Sequence, residues 1–170
     1  VNPLKLTITN YPEEKEESVV SENNPEKESS GTRKLPFSKH LYIEKEDFKE
    51  EAGRKFFRLT PGKEVRLKSA YIVKGESVVR NEAGEITEVL CTYDPKSKSG
   101  SGSQESLRKV KGTLHWVSQK HAVPVVIREY DRLFMAEVPG SEDGDFLKDL
   151  NPHSLAVVNG YAEPSLAKAT

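Results

Sequence analysis

The sequence predicts an all-β protein in which many short antiparallel strands form a barrel or a sandwich. Apolar and polar residues alternate with a period of two in Leu4–Thr9, Glu64–Lys68 and Lys109–Trp116, as they do on half-buried strands. Asn81–Gly84 has the composition of a hairpin turn, with Gly84 suited to positive φ. Helical patterns are few and short, so strands dominate the expected fold.

Further strands follow from short runs rich in β-branched and aromatic residues. The expected strands are Lys39–Glu44, Lys55–Leu59, Ala70–Arg80, Glu85–Tyr93, Val123–Phe134 and Leu155–Asn159.

Two helical turns and two mobile segments complete the prediction. Asp47–Ala52 and Asp143–Leu150 are expected to be short helices, the second stopped by Pro152 because proline disfavours helix in the residue before it. The acidic segment Glu13–Ser30 and the serine- and glycine-rich segment Lys96–Ser106 are expected to be mobile, because neither composition favours burial.

Composition limits the possible partners. Charged residues make up 31% of the chain and its formal net charge is -1, which argues against a protein that coats polyanions along its whole surface. No apolar run approaches the length of a membrane span, and Cys91 is the single cysteine. We therefore expect a cytoplasmic protein with no membrane partner and a buried structural thiol.

The segment from Gly53 to Lys74 is the most informative local feature. It holds seven basic residues and one acid, interleaved with Phe56, Phe57 and Tyr71. Cations beside aromatic rings suit single-stranded RNA, since the cations meet phosphates and base edges while the rings stack on unpaired bases. The competing interpretation is a solvated strand face over a core that contains the rings, which is the more frequent role of a charge run.

The sequence offers little support for an enzyme. It contains no phosphate-binding loop, no dinucleotide-binding fingerprint and no nucleophile elbow. The four histidines are scattered and none has metal-ligand spacing. We expect no catalytic residue and no metal site in this chain.

A series of long motifs resembles glutaminyl-tRNA synthetases, and specifically their carboxy-terminal anticodon-binding part. The resemblance covers nearly the whole chain, from Asn2–Leu6 to Ala162–Leu166. The motifs that carry it are Arg33–Ser38, Ile43–Phe48, Arg58–Leu67, Lys109–Ser118 and Val125–Phe134.

The resemblance implies two packed antiparallel β-barrels with a few short helices. The distal barrel would comprise residues 28–124, and the proximal barrel residues 1–23 together with 125–170. A catalytic domain that uses ATP to join glutamine to tRNA would precede Val1. The implied partners are the anticodon loop of tRNA(Gln) and that catalytic domain, and DNA is not an expected partner.

The resemblance also implies roles for individual residues. Arg58 would read the third anticodon base, while Arg66 and Lys68 would surround the first. Lys55 stands where relatives usually have a glutamine that contacts the middle base, and Phe57 replaces a residue that is basic in some relatives. The full set of expected RNA-binding residues is Arg54, Lys55, Arg58, Lys63, Arg66 and Lys68.

Two alternatives stay open at this point. One is the equivalent domain of an archaeal or eukaryotic-type glutamyl-tRNA synthetase, against which the His115–Ser118 run favours the glutaminyl type. The other is a stand-alone β-barrel that binds proteins.

Relatives also have a contact arginine just before the position of Val1 and a returning strand after that of Thr170. We therefore expect weaker and less selective anticodon binding from this chain alone than from the intact enzyme.

Overall fold

The regular structure consists of strands and short 3-10 helices, in a computed structural model that describes residues 2–141 and 144–168. No α-helix occurs among these residues, so the all-β prediction is confirmed. The strands are β1 (Pro3–Ile8), β2 (Glu17–Glu22), β3 (Thr32–Phe37), β4 (His40–Glu44), β5 (Glu64–Leu67), β6 (Ile72–Arg80), β7 (Ile86–Tyr93), β8 (Thr113–Leu114), β9 (Val117–Ser118), β10 (Val123–Tyr130) and β11 (Leu155–Ala162). The 3-10 helices are Glu28–Ser30, Lys45–Asp47, Pro95–Ser97, Phe146–Asp149 and Pro164–Lys168.

The chain forms two compact units. The smaller is Pro124–Gly160, and the larger is Asn2–Val123 together with the chain from Tyr161 onward. In the larger unit seven strands form one sheet in the order β8-β5-β6-β7-β1-β4-β9, while β2 and β3 form a separate ribbon. The strand pairs β1–β7 and β5–β8 of this unit are parallel, and its other strand pairs are antiparallel.

The division into a proximal and a distal barrel stays a prediction. Strand β1 is hydrogen-bonded between β7 and β4, so it shares a sheet with strands from the range assigned to the distal barrel. Val1 and Thr170, the ends of the range assigned to the proximal barrel, lie outside the described residues.

Five aromatic rings occupy the centre of the larger unit's core. Phe37 lies 5.3 Å from Tyr11, 5.3 Å from Tyr71 and 5.0 Å from Trp116, measured between ring centroids. Tyr93 is 5.1 Å from Tyr11 and 5.0 Å from Tyr71. Most of these pairs are edge-to-face, an arrangement that adds stability beyond the area that the rings bury.

The acidic segment Glu13–Ser30 is ordered into strand β2, so the prediction that it is mobile was wrong. Residues Glu17 to Glu22 pair with β3, and Val19 is buried in the core. The composition of the segment is polar, but one alternating face finds apolar partners that lie far from it in the sequence.

Two other local predictions were wrong, and a third falls partly outside the described residues. Residues 55–59 form an irregular loop rather than a strand, and within it Leu59 alone makes a β-bridge, to Phe48. The expected helix Asp47–Ala52 is replaced by the 3-10 helix Lys45–Asp47, because Phe48 is buried in the core and leaves the helical conformation. The expected helix Asp143–Leu150 begins at a residue outside the described range and contains only the 3-10 helix Phe146–Asp149.

The hairpin and cysteine predictions are confirmed. The turn between β6 and β7 has Gly84 at φ 79°, a conformation that glycine adopts without strain. Cys91 is fully buried, and burial raises the pKa of its thiol to about 12.

The smaller unit is organised around the two-stranded sheet of β10 and β11 and one buried amide. The Asn151 side chain donates to the carbonyl of Arg132 over 2.9 Å and accepts from the backbone of His153 over 2.9 Å. Many large apolar side chains of this unit are exposed, among them Val126, Tyr130, Leu133, Met135, Val138, Phe146, Leu147 and Val157.

Candidate RNA-binding site

The residues predicted to bind RNA begin in a loop that is closed at its base by backbone hydrogen bonds. The backbone amide of Lys49 donates to the carbonyl of Leu59, and that of Leu59 donates to Asp47. Leu59 is fully buried, which anchors the end of the loop in the core. Residues 50–58 therefore project from a fixed base and expose most of their side chains.

Three of the six predicted residues line one pocket. Arg54, Arg58 and Lys63 surround a cavity of about 220 Å³. Its other lining residues are Phe56, Phe57, Glu64, Val65 and Lys111.

The pocket carries positive charge that no acid neutralises. Among the described residues, no carboxylate pairs with Arg54, Lys63 or Lys111, whereas the pocket's one acid, Glu64, pairs with Arg108 at 3.1 Å. Uncompensated cations around a small cavity attract an anionic ligand.

Arg58 is oriented by an acid behind it. Its Nε donates to Asp47 Oδ1 over 2.8 Å, and its Nη1 donates to the carbonyl of Phe57 over 3.2 Å. The side chain is 47% exposed, so part of the planar guanidinium stays accessible. A guanidinium held in this way is suited to form two parallel hydrogen bonds with a base edge.

The other three predicted residues lie elsewhere. Lys55 is exposed but does not line the pocket. Lys68 is half-buried, and its carbonyl accepts a hydrogen bond of 3.0 Å from Trp116 Nε1.

Arg66 is occupied by contacts within the chain. It donates to the carbonyls of Ser97 and Ser106 and to Ser99 Oγ, over 3.0, 2.8 and 3.0 Å. Its guanidinium holds the serine- and glycine-rich segment Lys96–Ser106 against β5. That segment was predicted to be mobile, but these hydrogen bonds hold it in place.

Lys111 was not among the residues predicted to bind RNA. Strand β5 pairs in parallel with β8, so that Arg66 lies opposite Thr113 and the backbone amide of Arg66 donates to Gly112. This pairing brings Lys111 beside the loop, with its Nζ 5.6 Å from the centroid of the Phe57 ring. The alternation in Lys109–Trp116 predicted a strand, but no local sequence pattern predicts that this strand pairs with β5.

A second polar cluster lies around a cavity of about 470 Å³. Glu13 pairs with Lys39 and His40, and Glu16 pairs with Lys120 and His121. Each of the two lysines of this cluster thus already has a carboxylate partner within the chain.

Neither a metal cluster nor a membrane span is found in the described part of the chain. No group of three or more His, Cys, Asp and Glu side chains among residues 2–141 and 144–168 is arranged to hold a metal ion. No helix over the same residues combines the length and apolarity needed to cross a membrane.

Comparison with known families gives matches over most of the chain. Residues 1–94 match the family described as tRNA synthetases class I (E and Q), anti-codon binding domain, and residues 113–170 match a second family of the same description.

Similar proteins have one name in common. The chain is 57% identical to glutamine–tRNA ligase of Rhodopirellula baltica, over 99% of this chain and 28% of that protein. It is 50% identical to glutamine–tRNA ligase of Clostridium perfringens and 49% identical to that of Proteus mirabilis, in each case over 99% of this chain and 30% of the relative. The chain thus spans less than a third of the length of these relatives.

Proposed function

Since this chain belongs to the family of anticodon-binding domains of class I tRNA synthetases (E and Q), we propose that it binds the anticodon loop of tRNA(Gln). The whole protein would be a cytoplasmic glutamine–tRNA ligase, which attaches glutamine to tRNA(Gln) with ATP. ATP would be bound in a catalytic domain outside this chain, because the chain has none of the sequence signatures of a nucleotide site.

The observation that carries the proposal is the pocket of Arg54, Arg58 and Lys63 beside Phe56 and Phe57. Unpaired bases of a tRNA loop offer phosphates, faces and hydrogen-bonding edges at once. The pocket supplies a matching group for each: free cations, exposed phenyl carbons and a partly accessible guanidinium. A neutral protein surface would offer no counter-charge to Arg54, Lys63 and Lys111, which pair with no carboxylate among the described residues.

The relatives favour glutamine over glutamate as the amino acid. The proteins that match this chain at 47–57% identity are glutamine–tRNA ligases. The same matches disfavour a stand-alone interaction domain, because each covers 98–99% of this chain as part of a longer ligase.

We assign the exposed apolar residues of the unit Pro124–Gly160 to contact with the remaining part of the protein, which includes the proposed catalytic domain. Side chains such as Val126, Val138, Phe146 and Val157 are more than half exposed in this chain. Apolar surface of this extent is usually covered by a partner.

The base-reading role of Arg58 gives the first test. In the full-length protein, Arg58→Ala is expected to reduce discrimination at the third anticodon base by about 1 to 3 kcal/mol, because a bidentate contact to a base edge is lost. Lys63→Ala is expected to weaken binding about equally for all anticodons, since a phosphate contact carries no sequence information. The measurement is the affinity of each variant for anticodon stem-loops that differ in the third base.

Equal behaviour of the two variants across the stem-loops would refute base reading by Arg58. A wild-type protein that does not distinguish the anticodons at all would refute the proposed function itself.

A further inference from the structure

Phe57 and Lys111 both line the pocket and form a cation–π pair, in which the part played by Lys111 was not predicted from the sequence. Phe57 is 48% exposed, whereas phenylalanine residues are usually buried. The Lys111 ammonium lies over its ring at 5.6 Å from the centroid. We infer that this pair holds one unpaired nucleotide, with its base against the ring and its phosphate on the ammonium, an inference that rests on the proposed function.

Close backbone packing fixes the positions of Phe57 and Lys111 relative to each other. The backbone approaches so closely that a Cβ placed on Gly112 would lie 2.6 Å from the carbonyl oxygen of Phe57 and 3.1 Å from Val65 Cγ1. Val65 is buried, so the surface under the pair is fixed in the core. A ring and a cation on two distant segments are therefore held within reach of a single ligand.

The distribution of charge leaves Lys111 available for a phosphate beside the Phe57 ring. Arg58 already has a carboxylate partner in Asp47 at 2.8 Å, which leaves its remaining donors for a directional contact. Lys111 has no carboxylate partner among the residues that the structure describes, and lysine offers a compact point charge suited to a phosphate oxygen. Lys111 is thus the phosphate-binding residue of the pair.

A ligand that has both a base and a phosphate is needed to account for both Phe57 and Lys111. A free phosphate would use Lys111 but leave the ring exposed, and an apolar ligand would do the reverse. Stacking of a base on an aromatic ring and neutralisation of its phosphate occur together in single-stranded nucleic acid, where stacking tolerates any base. The expected ligand is therefore one splayed nucleotide of an RNA loop.

The test uses the full-length protein and anticodon stem-loops that carry 2-aminopurine at one loop position at a time. Phe57→Leu removes the ring but keeps an apolar side chain, and Phe57→Tyr keeps the ring. We expect Phe57→Leu to weaken binding roughly five- to a hundredfold and to change the fluorescence at a single loop position. Phe57→Tyr is expected to retain both the affinity and the fluorescence of the wild type.

The phosphate contact is tested by salt titration. Lys111→Met keeps the aliphatic stem and is expected to reduce the slope of log K against log salt by about 0.7. Lys109→Met is the matched control, because Lys109 is exposed on the same segment but does not line the pocket. Melting temperatures of all variants establish that each one is folded.

Three outcomes would overturn the inference. They are an unchanged fluorescence pattern in folded Phe57→Leu, equal salt slopes for the Lys111 and Lys109 variants, and displacement of the stem-loop by polyglutamate as readily as by RNA. If wild type still distinguishes anticodons in these cases, the proposed function stands and only the role of the pair fails.

Discussion

One carboxylate, that of Glu17, joins three parts of the larger unit. Its Oε1 accepts hydrogen bonds of 2.8 Å from the hydroxyls of Tyr11 and Tyr71, and its Oε2 accepts from Lys98. Burial by itself disfavours the charged carboxylate, but the bonds from Lys98, Tyr71 and Tyr11 outweigh it and lower the pKa of Glu17 to about 2. The ionised form is therefore the one that stabilises the fold.

This network predicts a loss of stability in acid. A carboxyl group whose pKa is lower in the folded than in the unfolded state stabilises the protein above its ordinary pKa of 4.5. That contribution, on the order of 2 to 3 kcal/mol, is lost as the pH falls from there towards the folded value. Glu17→Gln should lower the free energy of unfolding at neutral pH and show a weaker dependence on pH in denaturant titrations.

Glu13→Gln is the control for Glu17. Hydrogen bonds to Lys39 and His40 also lower the pKa of Glu13, but its side chain is 57% exposed. Solvent screens such pairs, so we expect little change in stability. If the stability of Glu17→Gln depended on pH in the same way as that of the wild type, the hydrogen bonds of Glu17 would not be the cause of the loss of stability in acid.

At the scale of elements, the parallel pairing of β5 with β8 brings the pocket together. It places Lys111 beside a loop that precedes β5 in sequence, and it depends on close contact between Gly112 and the backbone of Phe57. Glycine is required here for space rather than for its φ angle, which lies outside the left-handed region.

Gly112→Ala is expected to destabilise the protein by about 1 to 3 kcal/mol, because the new methyl group would overlap a backbone oxygen that cannot move freely. RNA binding should weaken as well, since the displaced segment carries Lys111. The matched control is Gly53→Ala, where nothing lies within 4 Å of the added Cβ. Thermal unfolding of both variants measures the difference, and equal melting temperatures would contradict the steric account.

The elements also show where sequence reasoning succeeded. Alternation identified β1 and β5, since Leu4, Leu6, Val65 and Leu67 point into the core. The same alternation in β2 was hidden by acidic neighbours, and only its pairing with β3 makes it visible as a strand.

Tertiary contacts also decide which of the predicted site residues are available to a ligand. Arg58 and Arg66 lie in one basic segment, yet one lines a pocket and the other holds a distant loop. The groups that hold Arg66 include backbone carbonyls of Ser97 and Ser106, and every residue has such a carbonyl. Side-chain composition identifies the basic segment, but only tertiary contacts decide which of its charges are available.

At the scale of the molecule, net charge and local charge differ. The chain has a formal net charge of -1, while the stretch from Gly53 to Lys74 holds seven bases and one acid. Attraction to a polyanion therefore depends on one region and not on the whole surface.

Binding of an anticodon stem-loop should weaken linearly in log K against log salt, by about 0.7 in slope for each phosphate neutralised. Removing a pocket cation with Arg54→Ala should reduce that slope. Lys120→Ala removes the same charge from a residue that is paired with Glu16 and lies outside the pocket, so it should leave the slope unchanged. Binding that is insensitive to salt would indicate a protein ligand instead.

The buried thiol of Cys91 has a practical consequence. It lies on β7, between β6 and β1, and it is the single cysteine of the chain. Reagents that label thiolates reach it only after neighbouring strands separate, so its alkylation rate reports opening of the sheet from within. A cysteine introduced at the surface can meanwhile carry a spectroscopic probe with almost no background labelling of the native chain.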